Sequence, residues 1–240
     1  MLSTIARGRG VERVINGTDR FRLSAQSRGF IAEEYEPAVW HRVMREVSAG
    51  DRVAEVGASM GLYALAFAGR VGATGHVTAF EPDPESASAL EANISVNGWQ
   101  DRVTAIRAAV GKSSGQIRFA AAHGLESRIE TRPEVSDGLI TVPMVTLDDA
   151  LAGQRIDLIK IDVEGFEQQA LEGARNVLTR DRGRPKAILV EVHPFAWTLT
   201  GTTSASFLGL LDEMGFRVED MHGATVSSIS EYGHIIAIAD

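Results

Sequence analysis

DRVAEVGASMGLYALAFAGRVGATGHVTAFEPDP, residues 51–84, reads as strand, glycine turn, helix, turn and strand, with an acid after the second strand. Arg52–Val56 is a short apolar-leaning run that stops at Gly57-Ala58-Ser59-Met60-Gly61. Over Leu62–Val71 the apolar residues crowd together at a length suited to a buried helix. Gly72 and Gly75 break that pattern, His76–Phe80 is a second short strand, and Glu81 follows directly. Such a unit joins parallel strands and places a binding crevice at their carboxyl ends, here for something nucleotide-like.

The turn discriminates between nucleotides. A dinucleotide fingerprint, G-x-G-x-x-G, lets backbone amides approach a pyrophosphate at a helix N-terminus. Counting from Gly57, Ser59 and Leu62 stand where the second and third glycines belong. The pattern that fits is acidic-x-G-x-x-x-G, with Glu55, Gly57 and Gly61. This looser turn suits S-adenosylmethionine, which carries an amino-acid tail and no phosphate. Glu81, 24 residues after Gly57, is placed to accept both ribose hydroxyls. Pro82 belongs to the same ribose site. An NAD(P)-binding oxidoreductase is the rival from another class, and the missing glycines disfavour it.

Composition sets the outer limits. A chain of 240 residues with 44% hydrophobic content suits one α/β domain with a modest extension. No apolar run approaches the ~20 residues of a membrane span, and the N-terminus lacks the apolar stretch of a signal peptide. Cysteine is absent, which excludes thiolate metal sites and disulfides and agrees with a reducing cytoplasm. A net charge of −8 argues against a general nucleic-acid binder. The arginines at 7, 9, 13, 20, 22 and 28 read as a solvated surface rather than a phosphate-binding patch. The expected partner is a small-molecule acceptor, with no nucleic acid and no membrane; the oligomeric state is open, a homodimer being one option.

Along the chain, residues 11–24 alternate around Asn16-Gly17-Thr18-Asp19, a hairpin signal. Tyr35, Val39, Trp40, Val43, Met44 and Val47 fall at helical spacing, with Pro37 in the first turn and Gly50 at the end. Residues 1–50 are therefore a hairpin and helix beside a domain of residues 51–240, either lining the substrate side as a lid or merely stabilising it. After Glu81, a helix begins at Pro84 and closes at Asn97-Gly98. Residues 102–110 read as a third strand whose end, near Ala109, lies on the adenine side of the crevice. Residues 116–121 and 141–147 read as strands, and 123–138, holding Glu126, Ser127 and Arg128, as a loop folding over ligand. Asp148-Asp149 starts a short helix. Residues 157–162 are a strand, one helix covers Phe166 to Leu178, and a strand ends at Pro194. A helix capped at Thr203 or Ser204 and strands at 216–221 and 234–239 close the chain. The expected fold class is α/β, a Rossmann-like class I methyltransferase with a seven-stranded, mostly parallel sheet and helices on both faces.

Parallel strands are buried on both faces and should be apolar. Lys160, Asp162, Glu191 and His193 break that rule in the C-terminal halves of two strands. Alternation puts Leu158, Lys160 and Asp162 on one face, and Leu189, Glu191 and His193 on one face. Buried charges must be paired or meet ligand. If the strands are neighbours, Lys160 pairs with Glu191, while Asp162 and His193 face the cleft. These four are the candidate catalytic residues, with His193 or Asp162 as general base; the bland alternative is a network that only fixes strand ends. Glu164 and Glu167 frame Gly165, either as helix-start carboxylates or as substrate contacts. The remaining histidines show no metal-ligand spacing, so no metal is expected, although Asp148-Asp149, Asp162 and Glu191 could gather a hard cation.

Taken together, EVGASMGLYAL (55–65), VTAFEPDPESASALEANISVNG (77–98), VTLDDAL (145–151), DLIKIDVEGFEQQALEGA (157–174) and LVEVHP (189–194) resemble the FkbM family of S-adenosylmethionine-dependent methyltransferases. The resemblance covers about residues 35–195, and its most specific part is K-I-D-V-E-G. It implies O-methylation of a hydroxyl on a sugar or natural product, with a carboxyl methyltransferase as the alternative. Glu55, Gly57, Ala58, Ser59 and Gly61 then look like the methionine-side loop, Glu81 like the ribose ligand, and Asp162 like the acid at the next strand tip. The family usually has Asp at position 55, and an Asn or His where this chain has Ala58-Ser59-Met60. For a hydroxyl acceptor a base near the strand tips is implied; for a carboxylate acceptor, a cationic clamp such as Arg128.

Overall fold

The structure is a computed structural model of the chain, and it describes residues 8, 10–27, 33–120, 128–130 and 138–240. A hairpin pairs β1 (Val11–Ile15) with β2 (Asp19–Leu23), turning through Asn16 and Gly17 at positive φ. Helix α1 (Pro37–Met44) starts at a proline and buries Val39, Trp40, Val43 and Met44. The apolar spacing continues to Val47, which is buried, but the helix itself ends at Met44 and not at Gly50.

The next stretch alternates strand and helix: β3 (Arg52–Val56), α2 (Leu62–Val71), β4 (His76–Phe80), α3 (Pro84–Asn97) and β5 (Val103–Ile106). Helix α3 begins where Asp83 accepts the N–H groups of Glu85 and Ser86, and stops at Gly98 with φ 67°. The single strand expected over 102–110 is divided. Arg107 is exposed and bonded to Glu91, and the Ala108 N–H folds back onto the Ile106 carbonyl. The following β6 (Ala109–Val110) enters a second sheet with β7 (Gly115–Ala120), β8 (Arg128–Ile129) and β9 (Leu139–Val145), in the order β6-β9-β7-β8. Sequence alternation alone does not separate these strands from the main sheet. The loop expected over 123–138 holds β8; Glu126 and Ser127 lie outside the described residues, as do Arg7, Arg9 and Arg28.

Helix α4 (Leu147–Ala150), β10 (Leu158–Ile161), α5 (Glu167–Glu172), α6 (Arg175–Thr179), β11 (Ala187–Val192), α7 (Ser204–Glu213), β12 (Phe216–Asp220) and β13 (Gly233–Ala239) complete the chain. The expected single helix after β10 is two. It breaks at Gly173, where a Cβ would strike the Gly111 carbonyl oxygen and where Asp148 donates its N–H to the Gly173 carbonyl.

The main sheet has seven strands in the order β12-β13-β11-β10-β3-β4-β5, and only β13 runs antiparallel to its neighbours. Alternation divides the core. Ala54, Val56, Ile159, Ile161, Ile188 and Val190 pack with α4 to α7; Val53, Val77, Leu158 and Leu189 pack with the hairpin and α1 to α3. The chain runs outward from β3 through β4 to β5, then returns to β10 and β11. The crevice between β3 and β10 is thus the topological switch point, where open α/β sheets bind ligands.

Candidate active site

β3 leads into a turn that needs glycine at its two closest approaches, Gly57 and Gly61. Gly57 sits at φ 79°, and a Cβ there would collide with the carbonyl oxygen of Asp162 on the neighbouring strand. Ser59 and Gly61 also have positive φ, and Gly61 lies against Leu90. Both Gly57 and Ala58 donate to the Phe80 carbonyl, tying the turn to the end of β4. Glu81 completes the clasp: Oε2 accepts the Ser59 N–H at 2.7 Å and Oε1 the Asp83 N–H at 2.8 Å. Burial pushes the Glu81 carboxyl up to about 7 against the pull of those amides. Each oxygen retains a lone-pair site for a further donor.

Above the turn opens a cleft bordered by Ser59, Glu81, Pro82, Ala109, Asp162 and Glu164. It adjoins a smaller recess with Glu55, Ala58, Met60, Tyr63 and Lys160 on its walls. Glu55 stands in register with Lys160 across β3 and β10. It is buried, and its Oε2 has no hydrogen-bond partner among the described residues. Burial pushes its carboxyl up to about 8, against the attraction of Lys160. An orphaned carboxylate oxygen at one end of the cleft and a clasped one at Glu81 suit a ligand with an ammonium at one end and a ribose further along.

The polar strand tips are densely connected. Lys160 does not pair with Glu191, because the register sets it beside Leu189. Its Nζ lies 3.1 Å from Asp162 Oδ2 and 4.7 Å over the Tyr63 ring. Burial works against its charge, but Asp162 and Glu55 more than compensate and raise its pKa. Burial raises the Asp162 carboxyl, and Lys160 opposes that rise. Glu191 accepts a hydrogen bond from Tyr232 Oη and has His234 Nε2 at 3.4 Å. Burial acts against its ionisation, yet these partners hold it below the usual carboxylate range.

His193 is almost wholly buried. Its Nδ1 lies 2.7 Å from Glu167 Oε1, while Nε2 has Glu164 Oε2 at 3.5 Å and Glu191 Oε1 at 3.9 Å. Burial lowers the imidazole pKa, and Glu167 followed by Glu164 overturns that and raises it. Glu167, fully buried, also accepts the Gly165 N–H at 2.9 Å and Trp197 Nε1 at 2.8 Å. Asp162, Glu191 and His193 place one ligand atom each within 4.8 Å of one another, as do Glu36, Glu191 and His234. Sequence spacing does not group them, and their oxygen and nitrogen donors have the chemistry of a divalent-cation set. Asp148 and Asp149 are not among them: Asp148 accepts the Asn176 and Val177 N–H groups, and Asp149 bonds Ser114.

Several neighbours carry no sequence signal. Tyr63 Oη donates to Glu36 at 2.9 Å, which brings the start of α1 to this site, and Tyr35 lines both cavities. Tyr232 and His234 arrive from the start of β13. Only the final fold brings them here. The Arg128 side chain, expected as a clamp, lies outside what the structure describes.

The sheet order, with a glycine turn after the first central strand and an acid after the second, defines a Rossmann-like class I methyltransferase. Comparison with known proteins narrows this: the Methyltransferase FkbM domain matches residues 55–218. The chain belongs to that family, and its domain is an S-adenosylmethionine-dependent methyltransferase domain. It is similar to the hexuronic acid methyltransferase AglP of Haloferax volcanii, at 27% identity over 169 residues. The alignment covers 66% of this chain and 62% of the relative. In fold it is similar to an S-adenosylmethionine-dependent O-methyltransferase from Thermotoga maritima, with TM-score 0.50 and 17% identity over 87% of this chain and 66% of that one. An rRNA-methylase-type protein from Clostridium thermocellum gives TM-score 0.51 and 15% identity, over 82% and 89% of the two chains. Among the described residues no helix is long and apolar enough to cross a membrane.

Proposed function

We propose that the protein transfers the methyl group of S-adenosylmethionine to a hydroxyl of a sugar or natural-product small molecule. The observation that carries this reading is the convergence of Glu191 and His193 on Asp162, which lines the cleft together with Gly57, Ser59 and Glu81. The donor supplies an electrophilic methyl on a sulfonium, so the protein's work is alignment and proton removal. Glu55 takes the ammonium of the amino-acid end beside the Gly57–Gly61 turn that includes Ala58 and Ser59, and Glu81 holds the ribose. Pro82 and Ala109 flank the adenine. His193, with Nδ1 committed to Glu167, receives the hydroxyl proton at Nε2; Asp162 is the other candidate base. Lys160 and Glu191 keep that base and its neighbours oriented. The cysteine-free sequence fits a cytoplasmic setting.

A carboxylate acceptor is the second reading, favoured by the hexuronic acid methyltransferase among the relatives. It needs no base. The carboxylates crowding the strand tips count against it.

Calorimetric titration with S-adenosylhomocysteine, with NAD as control, tests the donor site. Glu81→Ala removes two charge-assisted acceptors and should weaken binding by roughly 2–4 kcal/mol. NAD binding, or no binding of S-adenosylhomocysteine to the wild type, would overturn the reading.

A further inference from the structure

Among the described residues three large apolar side chains stand exposed: Phe195, Leu199 and Tyr232. Single exposed apolar residues are ordinary, but these collect at one end of the sheet. Phe195 and Leu199 follow the tip of β11, and Tyr232 immediately precedes β13, its antiparallel neighbour. Phe195 is 70% and Tyr232 56% exposed, yet both rings touch the buried His193 ring, with centroids at 5.7 and 5.4 Å. Tyr232 is further tethered by its hydroxyl to Glu191.

The His193 ring that both contact is surrounded by carboxylates. Glu164 and Glu191 approach His193 Nε2, and Glu164 also borders the donor cleft with Asp162. Glu164 is thus shared between the His193 cluster beneath the rings and the wall of the donor cleft. Aromatic rings backed by carboxylates match a pyranose: its C–H face packs on the rings and its hydroxyls donate to the carboxylates. The same carboxylates repel an anion. The nearby cations are already matched: His193 faces Glu164, Glu167 and Glu191, and Lys160 is buried, paired with Asp162 and stacked over Tyr63.

We infer that Phe195 and Tyr232 form an acceptor subsite for an uncharged pyranose ring, and that Glu164 and Glu191 exclude a uronate from it. The inference rests on the proposed methyl transfer to a hydroxyl and narrows its substrate class away from that of the hexuronic acid relative.

Saturation-transfer NMR on the full chain with S-adenosylhomocysteine tests it. The probes are the methyl gluco-, galacto- and mannopyranosides and their three uronate counterparts. Saturation should reach the ring protons of at least one neutral pyranoside, with the matching uronate about tenfold weaker. Phe195→Ser should abolish that transfer while calorimetry shows unchanged S-adenosylhomocysteine affinity, and Tyr232→Phe, which keeps the ring, should retain most of it. Equal or stronger uronate binding, no binding of any neutral pyranoside, or an indifferent Phe195→Ser variant would overturn the subsite. Pyranoside binding without S-adenosylhomocysteine binding would keep the subsite and remove the donor reading instead.

Discussion

In the proposed donor site, Glu55 is the residue that would couple binding to pH. Its carboxyl rises from an ordinary 4.5 to about 8, because burial penalises the charge more than Lys160 relieves it. The ligand-free folded state therefore holds a proton between those values that the unfolded chain releases. Stability must then fall as pH rises from about 5 to about 8, and Glu81, raised to about 7, adds to the same trend. Thermal melts of the ligand-free protein should show that decline, and Glu55→Gln should flatten it. The opposite sign applies to the ligand: an ammonium beside Glu55 favours the carboxylate, so binding expels the proton. S-adenosylhomocysteine affinity should strengthen from pH 6 to 8 in the wild type and much less in Glu55→Gln. Calorimetry in buffers of different ionisation enthalpy would detect the released proton; its absence would mean that Glu55 does not meet the ligand's ammonium.

At the scale of elements, the tips of β10 and β11 meet around Glu167, which accepts from Gly165, Trp197 and His193 at once. Glu167→Ala leaves those groups without their acceptor in a dry site, and should cost about 2–4 kcal/mol in urea unfolding. The carboxylates around His193 raise its pKa above the ordinary 6.5. Their stabilisation of the charged ring is complete below 6.5 and is lost as pH climbs through the raised value. A base must first lose its proton, so methylation of a hydroxyl should quicken through that same higher pH. His193→Ala should slow it by about 10²–10⁴ while leaving ester formation nearly unchanged; an unmoved pH profile would exclude His193 as the base. This level also marks the limit of legibility. The glycine turn, Glu81 and the charged tips of β10 and β11 were readable because each is a local violation of pattern. The partner of Lys160 was not: pairing with Glu191 depends on the register, which sets Lys160 beside Leu189, and Lys160 turns instead to Asp162 along its own strand face. Nor were the second sheet, which shares its alternation with the first, or Tyr63, Tyr232 and His234, which long-range packing delivers.

Across the whole molecule, the hairpin and α1 are built into the same core as the helix that follows the Gly57–Gly61 turn. Ile15, Phe21, Leu23, Trp40, Val43 and Met44 pack in one cluster with Phe67 and Ala64 of α2, the helix that follows Gly61. Asp19 locks the contact by accepting from Arg70 at 2.8 and 2.9 Å and from Trp40 Nε1 at 2.7 Å. Burial opposes the Asp19 charge, but Arg70 and Trp40 prevail and its pKa is lowered. Asn16 exchanges hydrogen bonds with the backbone of Tyr35, and Glu36 accepts from Tyr63, so hairpin, α1 and cleft wall are linked in series. A fragment of residues 51–240 would expose the apolar face of α2 and lose the Tyr35 and Glu36 side of the site. It should melt without a cooperative transition and fail to bind S-adenosylhomocysteine. Trp40→Ala in the full chain should cost about 3–5 kcal/mol, in line with truncation of a buried aromatic. Calorimetric melting of the two forms, with and without S-adenosylhomocysteine, separates integration from mere attachment. A fragment that unfolds in one sharp transition and binds at wild-type affinity would show that the first 50 residues are dispensable to the donor site, and any role for them would then lie with the acceptor.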